Sequence, residues 1–261
     1  MILFGYIASL FIGISLGLIG GGGSILAMPI LVYLFQIPAS QATTYSLFIV
    51  GISSLIGAFK QYQQGQLSLK TAFVFAIPSI LTLTLVRKFL LPQIPDIIVS
   101  TSWFQLSKNG LLMSVFAILM LASSYTMIKK TTTQKTVHVN QFRLLFIGAL
   151  VGILIGFLGA GGGFMIIPAL LFFGGLTIRQ AIGTSLFIIF LNSSIGFSGD
   201  ILNGVDIDYF FIVKIGIISI LGMFIGSWLS SKLDSKKLKP LFGWVVLVMG
   251  IYILAKEFLL H

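Results

Sequence analysis

GLIGGGGSILAMPIL, residues 17–31, sets four consecutive glycines, Gly20, Gly21, Gly22 and Gly23, between two apolar runs. A near copy, GFLGAGGGFMIIPAL, occupies residues 156–170. Glycine is about 1 kcal/mol worse than alanine inside a helix, so the chain encodes a helix break, and encodes it twice. The likeness extends outward: residues 13–57 align without a gap on 152–196, pairing Gly20 with Gly159, Gly22 with Gly161, Pro29 with Pro168, Gln41 with Gln180, Ser46 with Ser185 and Ser54 with Ser193. A register held that long marks an internal duplication.

The surroundings of the breaks are those of a membrane. Of 261 residues, 57% are hydrophobic and 8% charged, with a mean hydropathy of +1.10. A soluble domain has roughly 45–50% apolar and 25% charged residues. Apolar runs at 42–59, 69–86, 111–128, 142–158, 209–229 and 241–255 approach or reach the roughly 17–25 residues that cross a bilayer. The opening MILFGYIASLFIGIS has no basic n-region and no small-residue cleavage site, so it reads as a first membrane helix rather than a leader. The net charge of +10 lies in loops between apolar runs, without a dense basic arm, which argues for topology and against nucleic acid. With no cysteine there is no disulfide and no thiolate.

The expected architecture is an all-α polytopic bundle of two inverted repeats, residues 1–128 and 142–261, joined by a polar, basic cytoplasmic linker at 129–141. Each repeat holds a glycine-broken helical hairpin followed by three membrane helices. Inversion follows from loop charge: after the helix that opens with Gln-Ala, the first half carries Lys60 and Lys70 where the second carries Asp200, Asp206 and Asp208. On this topology most basic residues fall inside, and Arg87, Lys88, Lys108 and Lys256 are exceptions.

Non-helical backbone survives at membrane depth where protein buries it or where it lines a watery cavity, and paired broken helices mark the binding sites of transporters. Gly20, Gly21, Gly22 and Gly23, with Ser24 as an N-cap, and Gly159, Gly161, Gly162 and Gly163 are therefore expected to turn amide donors and helix dipoles toward a small anion. Gln41, Thr44, Tyr45 and Ser46, with Gln180, Thr184, Ser185 and Asn192, are candidates to orient its oxygens. Interhelical bonding is an equal alternative for each of these taken singly. Gly13, Gly17, Gly148, Gly152, Gly156, Gly222 and Gly226 fit helix packing instead. Lys214 is the candidate intramembrane cation, or else a residue that snorkels to the interface. No acid, histidine or cysteine is expected within the spans, which removes the groups an enzyme or a proton relay would use. Neither cofactor nor metal is called for. An anion leaving an inside-negative cell gains about 2.3 kcal/mol per 100 mV, so export needs no other coupling.

The G-x-x-G-G-G-G-S-x-x-x-x-P-x-L motif, repeated as GFLGAGGGFMIIPAL, with Ser46-Leu47 and Thr184-Ser185-Leu186 after the two copies, resembles that of the sulfite exporter TauE/SafE family, also called the 4-toluene sulfonate uptake permease family. The resemblance spans nearly the whole chain. It implies a transporter in a bacterial inner membrane for sulfite, sulfoacetate or related organosulfonates. The runner-up functions are uptake of a sulfonate or carboxylate, and a non-transporting scaffold. Tyr45 stands where the second half has Thr184, a departure that bears on the size of the substrate.

Overall fold

The computed structural model describes residues 2–101, 104–128, 140–159, 162–232 and 235–259. Most of the linker, Ala160 and the candidate Gly161 lie outside the described residues. The apolar runs become helices: α1 (Ile2–Ile19), a 3-10 turn (Gly20–Leu26), α2 (Ala27–Pro29) and a π turn (Ile30–Leu34), then α3 (Ala39–Gln63). After these come α4 (Leu69–Leu85), a π turn (Val86–Leu90), α5 (Leu91–Gln93) and α6 (Lys108–Ile128). The second half supplies α7 (Gln141–Leu158), α8 (Gly163–Phe173), α9 (Ile178–Leu202), α10 (Tyr209–Lys232) and α11 (Ser235–Leu259). Eight helical segments among the described residues are long and apolar enough to cross a membrane. The protein is a multi-pass helical membrane protein, and its outward Phe73, Leu81, Phe146, Ile217, Phe224 and Val248 form part of the lipid-facing belt. One element was not expected: an antiparallel pair of short strands, β1 (Ile97–Thr101) and β2 (Phe104–Ser107), before α6.

Each glycine break turns the chain back on itself. In the first half the Ser15 hydroxyl donates to the Gly23 carbonyl at 3.2 Å, while the rings of Tyr6 and Phe35 meet edge-on at 5.7 Å. Both ends of the returning arm therefore lie beside α1. In the second half the Asn140 amide donates to the Phe173 carbonyl at 3.4 Å, so α8 runs back to the start of α7.

Glycine notches set the packing between hairpins and helices. Gly148, Gly152 and Gly156 of α7 sit against Phe75, Ser79 and Val86 in turn, so α7 and α4 run parallel. Gly13 and Gly17 of α1 meet Ser219 and Met223 of α10, where Gly222 and Gly226 return the contact, and those helices also run parallel. A Cβ at these points would strike backbone, or at Gly156 the Val86 side chain, which a packed bilayer helix has no means to move cheaply. The hairpin of each half thus seats against the third long helix of the other half. Helices α3 and α9 cross in the middle in antiparallel register: Thr44 meets Asp200 at one end, Gly51 meets Ser193 midway, and Gly57 meets Leu186 at the other. Helices α6 and α11 are antiparallel as well, with Gly243 beside Met127 and Gly250 beside Ala117.

Candidate functional site

The breaks open on matched glycines. Gly20 (φ +71°) and Gly159 (φ +64°) are left-handed, a conformation in which a side chain is strained, and they end α1 and α7 at equivalent points. Beyond Gly20 the fold departs from expectation: the chain does not open but winds on as a 3-10 turn, and the Ser24 hydroxyl donates into that turn, to the Gly21 carbonyl at 2.9 Å. Ser24 is therefore not an N-cap, because its backbone is helical and its oxygen faces the preceding turn. In the second half Gly162 (φ +62°) stands at the N-cap of α8, and no side chain caps it.

The two tips meet. A Cβ on Gly21 would lie 2.8 Å from the Gly163 Cα and 3.2 Å from the Ser185 Oγ, and one on Gly163 would run into the Gly21 backbone. Gly23 is closed over the backbone of Ser15 and Leu16, whereas Gly22 is looser, its nearest neighbour being the Ile19 Cγ2 at 3.1 Å. All four glycines of the first break and Ser24 are buried, as are Gly159, Gly162 and Gly163. Beside Gly162 lies a void of about 10 Å³ walled by Leu154, Ile155, Leu158, Phe164 and Met165. It is apolar and about one water in size. In this conformation the tips are packed shut.

The hydroxyls divide into those at the tips and those elsewhere. Ser46 donates to the Gly159 carbonyl at 2.7 Å, and its twin Ser185 stands against Gly21, so each half places one serine on the other half's tip. Thr184 accepts from the Ser68 amide at 3.0 Å, at the start of α4. Tyr45 is buried with its hydroxyl accepting from the Asp208 amide at 3.0 Å, in an aromatic group with Phe211, and so braces the start of α10 rather than facing a tip. Gln180 forms a reciprocal capping box with Thr177 at the partly exposed start of α9. Gln41 is partly buried in the first turn of α3. Asn192 donates to Ser79 at 2.9 Å, and at the equivalent place Ser53 donates to Ser219 at 2.9 Å. These pairs lie midway along the spans. The Asn192 Oδ1, Ser54 Oγ and Ser193 Oγ are buried there without hydrogen-bond partners.

Two residues that sequence reasoning left in loops turn out to be the most unusual groups in the bundle. Asp200 lies within α9 and is buried, as is Arg87 in the π turn that ends α4. The Arg87 Nε donates to Asp200 Oδ1 at 2.7 Å, and its Nη2 donates to Asp200 Oδ2 to complete a fork. Nη1 donates to the Gly156 carbonyl at 3.1 Å. Nη2 also reaches Thr44 Oγ1 at 3.1 Å and Thr43 Oγ1 at 3.4 Å, while the Thr44 hydroxyl donates to Asp200 Oδ2 at 2.6 Å. One guanidinium thus ties the end of α4 to α3, α7 and α9. This corrects the expectation that no carboxylate lies within the spans. It also removes Arg87 from the exceptions to the loop-charge rule, since its charge is neutralised inside the protein. The missed signal was local: the helical pattern of α9 runs on past Gly199 to Leu202, and Arg87 directly continues the apolar run of α4.

Beside this pair is a hollow of about 190 Å³, lined by Leu83, Thr84, Arg87, Lys88, Ile195, Gly196, Gly199, Leu202 and Asn203. Lys214, by contrast, points outward, with its ammonium 3.8 Å from the Phe210 ring centre. It takes no part in the interior.

Comparison with known proteins agrees with this architecture. The family model described as "Sulfite exporter TauE/SafE" matches residues 6–253. A "Probable membrane transporter protein" of Xylella fastidiosa (strain Temecula1) is 30% identical over 249 residues, covering 93% of this chain and 91% of the relative. "Probable membrane transporter protein YdhB" of Bacillus subtilis (strain 168) is 26% identical over 243 residues, covering 93% and 96%. With eight candidate spans, a doubled glycine break and a match across nearly its whole length, the chain belongs to the sulfite exporter TauE/SafE family of membrane transporters.

Proposed function

We propose that this transporter moves a small sulfur-containing anion, sulfite or an organosulfonate such as sulfoacetate, out of the cell across a bacterial inner membrane by alternating access. Its two halves, residues 1–128 and 142–261, are inverted copies. The antiparallel pairing of the equivalent helices α3 with α9 and α6 with α11 supports this, because copies related by a twofold axis in the membrane plane run in opposite senses.

The observation that carries the reading is the contact of the two hairpin tips, Gly21 against Gly163, with Ser46 and Ser185 standing over them. Two broken helices meeting inside an apolar bundle are costly as scaffolding, since a continuous helix would satisfy every amide. The same contact is a natural gate, in which bare backbone separates to present amides and hydroxyls, and a helix N-terminus at Gly163, to an anion. The packed conformation is the closed one. On this reading Gly20, Gly21, Gly22, Gly23, Ser24, Gly159, Gly162 and Gly163 form the moving tips. Thr44, Ser46, Ser185 and Asn192 lie along the route, and Gln41, Tyr45, Gln180 and Thr184 brace the helices that bound it.

Purified protein in liposomes, given labelled sulfite and an inside-positive potential of about 60 mV, should accumulate a monoanion roughly tenfold, since about 2.3 kcal/mol per 100 mV makes about 1.4 kcal/mol. Uptake no faster than in protein-free liposomes, for sulfite and sulfoacetate alike, would remove the proposal.

A further inference from the structure

We propose that Arg87 is the receptor for the transported anion and that Asp200 is its built-in stand-in, holding the guanidinium fork in the closed state and yielding it when the solute arrives. The inference rests on the reading that the solute is an anion, and adds the residue that recognises it.

Four observations support this assignment. First, Arg87 is one of the most deeply buried cations in the chain, and its Nε and Nη2 engage the two oxygens of one carboxylate. Two oxygens of a sulfonate, sulfite or carboxylate offer that same fork, a geometry arginine matches and lysine does not. Secondly, the hollow of about 190 Å³ opens against Arg87, and its mainly apolar wall of Leu83, Ile195 and Leu202 carries three further donors, Lys88, Thr84 and Asn203, from the end of α4 and the end of α9. The Lys88 ammonium adds a positive charge beside the guanidinium, which favours an anion there. Thirdly, Asp200 stands in the last turn of α9, next to exposed Ile201, Leu202 and Asn203. In the proposed exchange its carboxylate turns toward this exposed end of the helix, so that no buried charge is left without a partner. Fourthly, the arrangement is absent from the twin site. The positions equivalent to Arg87, Asp200 and Thr44 are Ser227, Gln61 and Gly183, where Gly183 packs directly on Gln61. Neutral residues close that end, so packing alone does not require the ion pair.

The exchange also links binding to movement. Because Arg87 joins α3, α7 and α9, replacing Asp200 by a free anion removes the guanidinium's tie to α9 at this end of the bundle and leaves the solute in its place.

The test uses the full chain in detergent and in liposomes, with sulfite, sulfoacetate and acetate as probes and choline as the cationic control. Asp200→Asn should bind the best anion at least tenfold more tightly than the parent, and should melt lower without anion but recover when it is added. Arg87→Gln with Asp200→Asn carries no buried charge and should fold, yet should lose anion binding and at least 95% of flux. Arg87→Lys should bind at least tenfold more weakly than the parent, because the fork is gone. If the double variant folds and still carries the anion at the parental rate, the pair is a structural clamp and Arg87 is not the receptor. If the double variant does not fold, an Asp200→Asn protein whose affinity and melting respond to anion no more than the parent's overturns the proposal. If the parent itself binds and moves none of the anions, the anion reading falls and this inference falls with it. Parental transport that survives loss of Arg87 refutes the inference alone.

Discussion

Replacing Gly163 by alanine tests the meeting of the hairpin tips at the level of one methyl group. Gly163 is the first residue of α8 and has no left-handed backbone, so in open space alanine there would gain up to about 1 kcal/mol in helix propensity. Any measured loss is therefore a contact effect. The added Cβ would overlap the carbonyl, carbonyl carbon and Cα of Gly21, all of them backbone. Forcing atoms into packed surroundings costs typically about 1–3 kcal/mol, and backbone lies at the upper end because no rotamer can swing away. A net loss of about 2 kcal/mol is expected, or roughly 4–8 °C in melting temperature for a chain of this size. Gly22→Ala is the control: its nearest neighbours are the ends of Ile19 at 3.1 Å and Met127 at 3.8 Å, so the change should stay within about 0.5 kcal/mol. Thermal unfolding in one detergent compares the two. The chain has no cysteine, so Ser185→Cys, buried against Gly21, gives a clean second reporter. Every 1.4 kcal/mol by which the closed tips are weakened raises the parted population about tenfold, and with it the labelling rate at that cysteine. Should Gly163→Ala melt within about 1 °C of the parent and leave the cysteine as slow to label, the tips are not in contact and the gate has no basis.

Three further outcomes are expected. Asp200→Ala leaves the Arg87 guanidinium buried and should cost about 3–5 kcal/mol, while Asp206→Ala, at an exposed position in the next loop, should stay within about 0.5 kcal/mol; urea or heat unfolding separates them. Ser46→Ala removes the bond from α3 to the Gly159 carbonyl and should cost about 1 kcal/mol, together with a measurable change in flux; an unchanged rate would make Ser46 interhelical glue only. Lys70→Cys, in the first turn of α4, and Asp206→Cys, in the loop after α9, should react with an impermeant reagent from opposite faces of the membrane, and labelling from one face would exclude inverted halves.

What could be seen from the sequence was whatever is local or periodic. Apolar runs located the long helices, the duplicated glycines located both hairpin turns, and small residues four apart marked the seams of α1 with α10 and of α4 with α7. Ser24 misled because a serine after glycines looks like a cap, and only the backbone tells a 3-10 turn from an open end. The capping role of Gln180 had a usable signal, since Thr177-Ile178-Arg179-Gln180 has the spacing of a capping box. The Arg87–Asp200 pair was hidden for a different reason. Its members are 113 residues apart, each at the end of an apolar run where a charge normally faces water, and the packing of α4 against α9 alone brings them together. Residues 97–101 and 104–107 carry a β-branched and aromatic pattern that a search for membrane helices passed over.

The departure from symmetry matters most for mechanism. Under the proposed inverted arrangement, two identical halves would give inward- and outward-facing states of equal energy, related by the twofold axis and equally populated. The tip contact is nearly symmetric, Ser46 and Ser185 being twins placed on opposite tips, and so does not choose between them. The choice must come from residues that differ between the halves. Arg87, Asp200 and Thr44, set against Ser227, Gln61 and Gly183, are the charged difference within the bundle. Breaking such a pair costs about 3–5 kcal/mol, enough to hold one end closed in all but about one molecule in a hundred to one in a few thousand. An anion that replaces Asp200 on Arg87 cancels that bias without any change at the tips. On the proposed mechanism the glycine tips therefore permit movement in either sense, and the ion pair decides which end rests shut and what solute releases it.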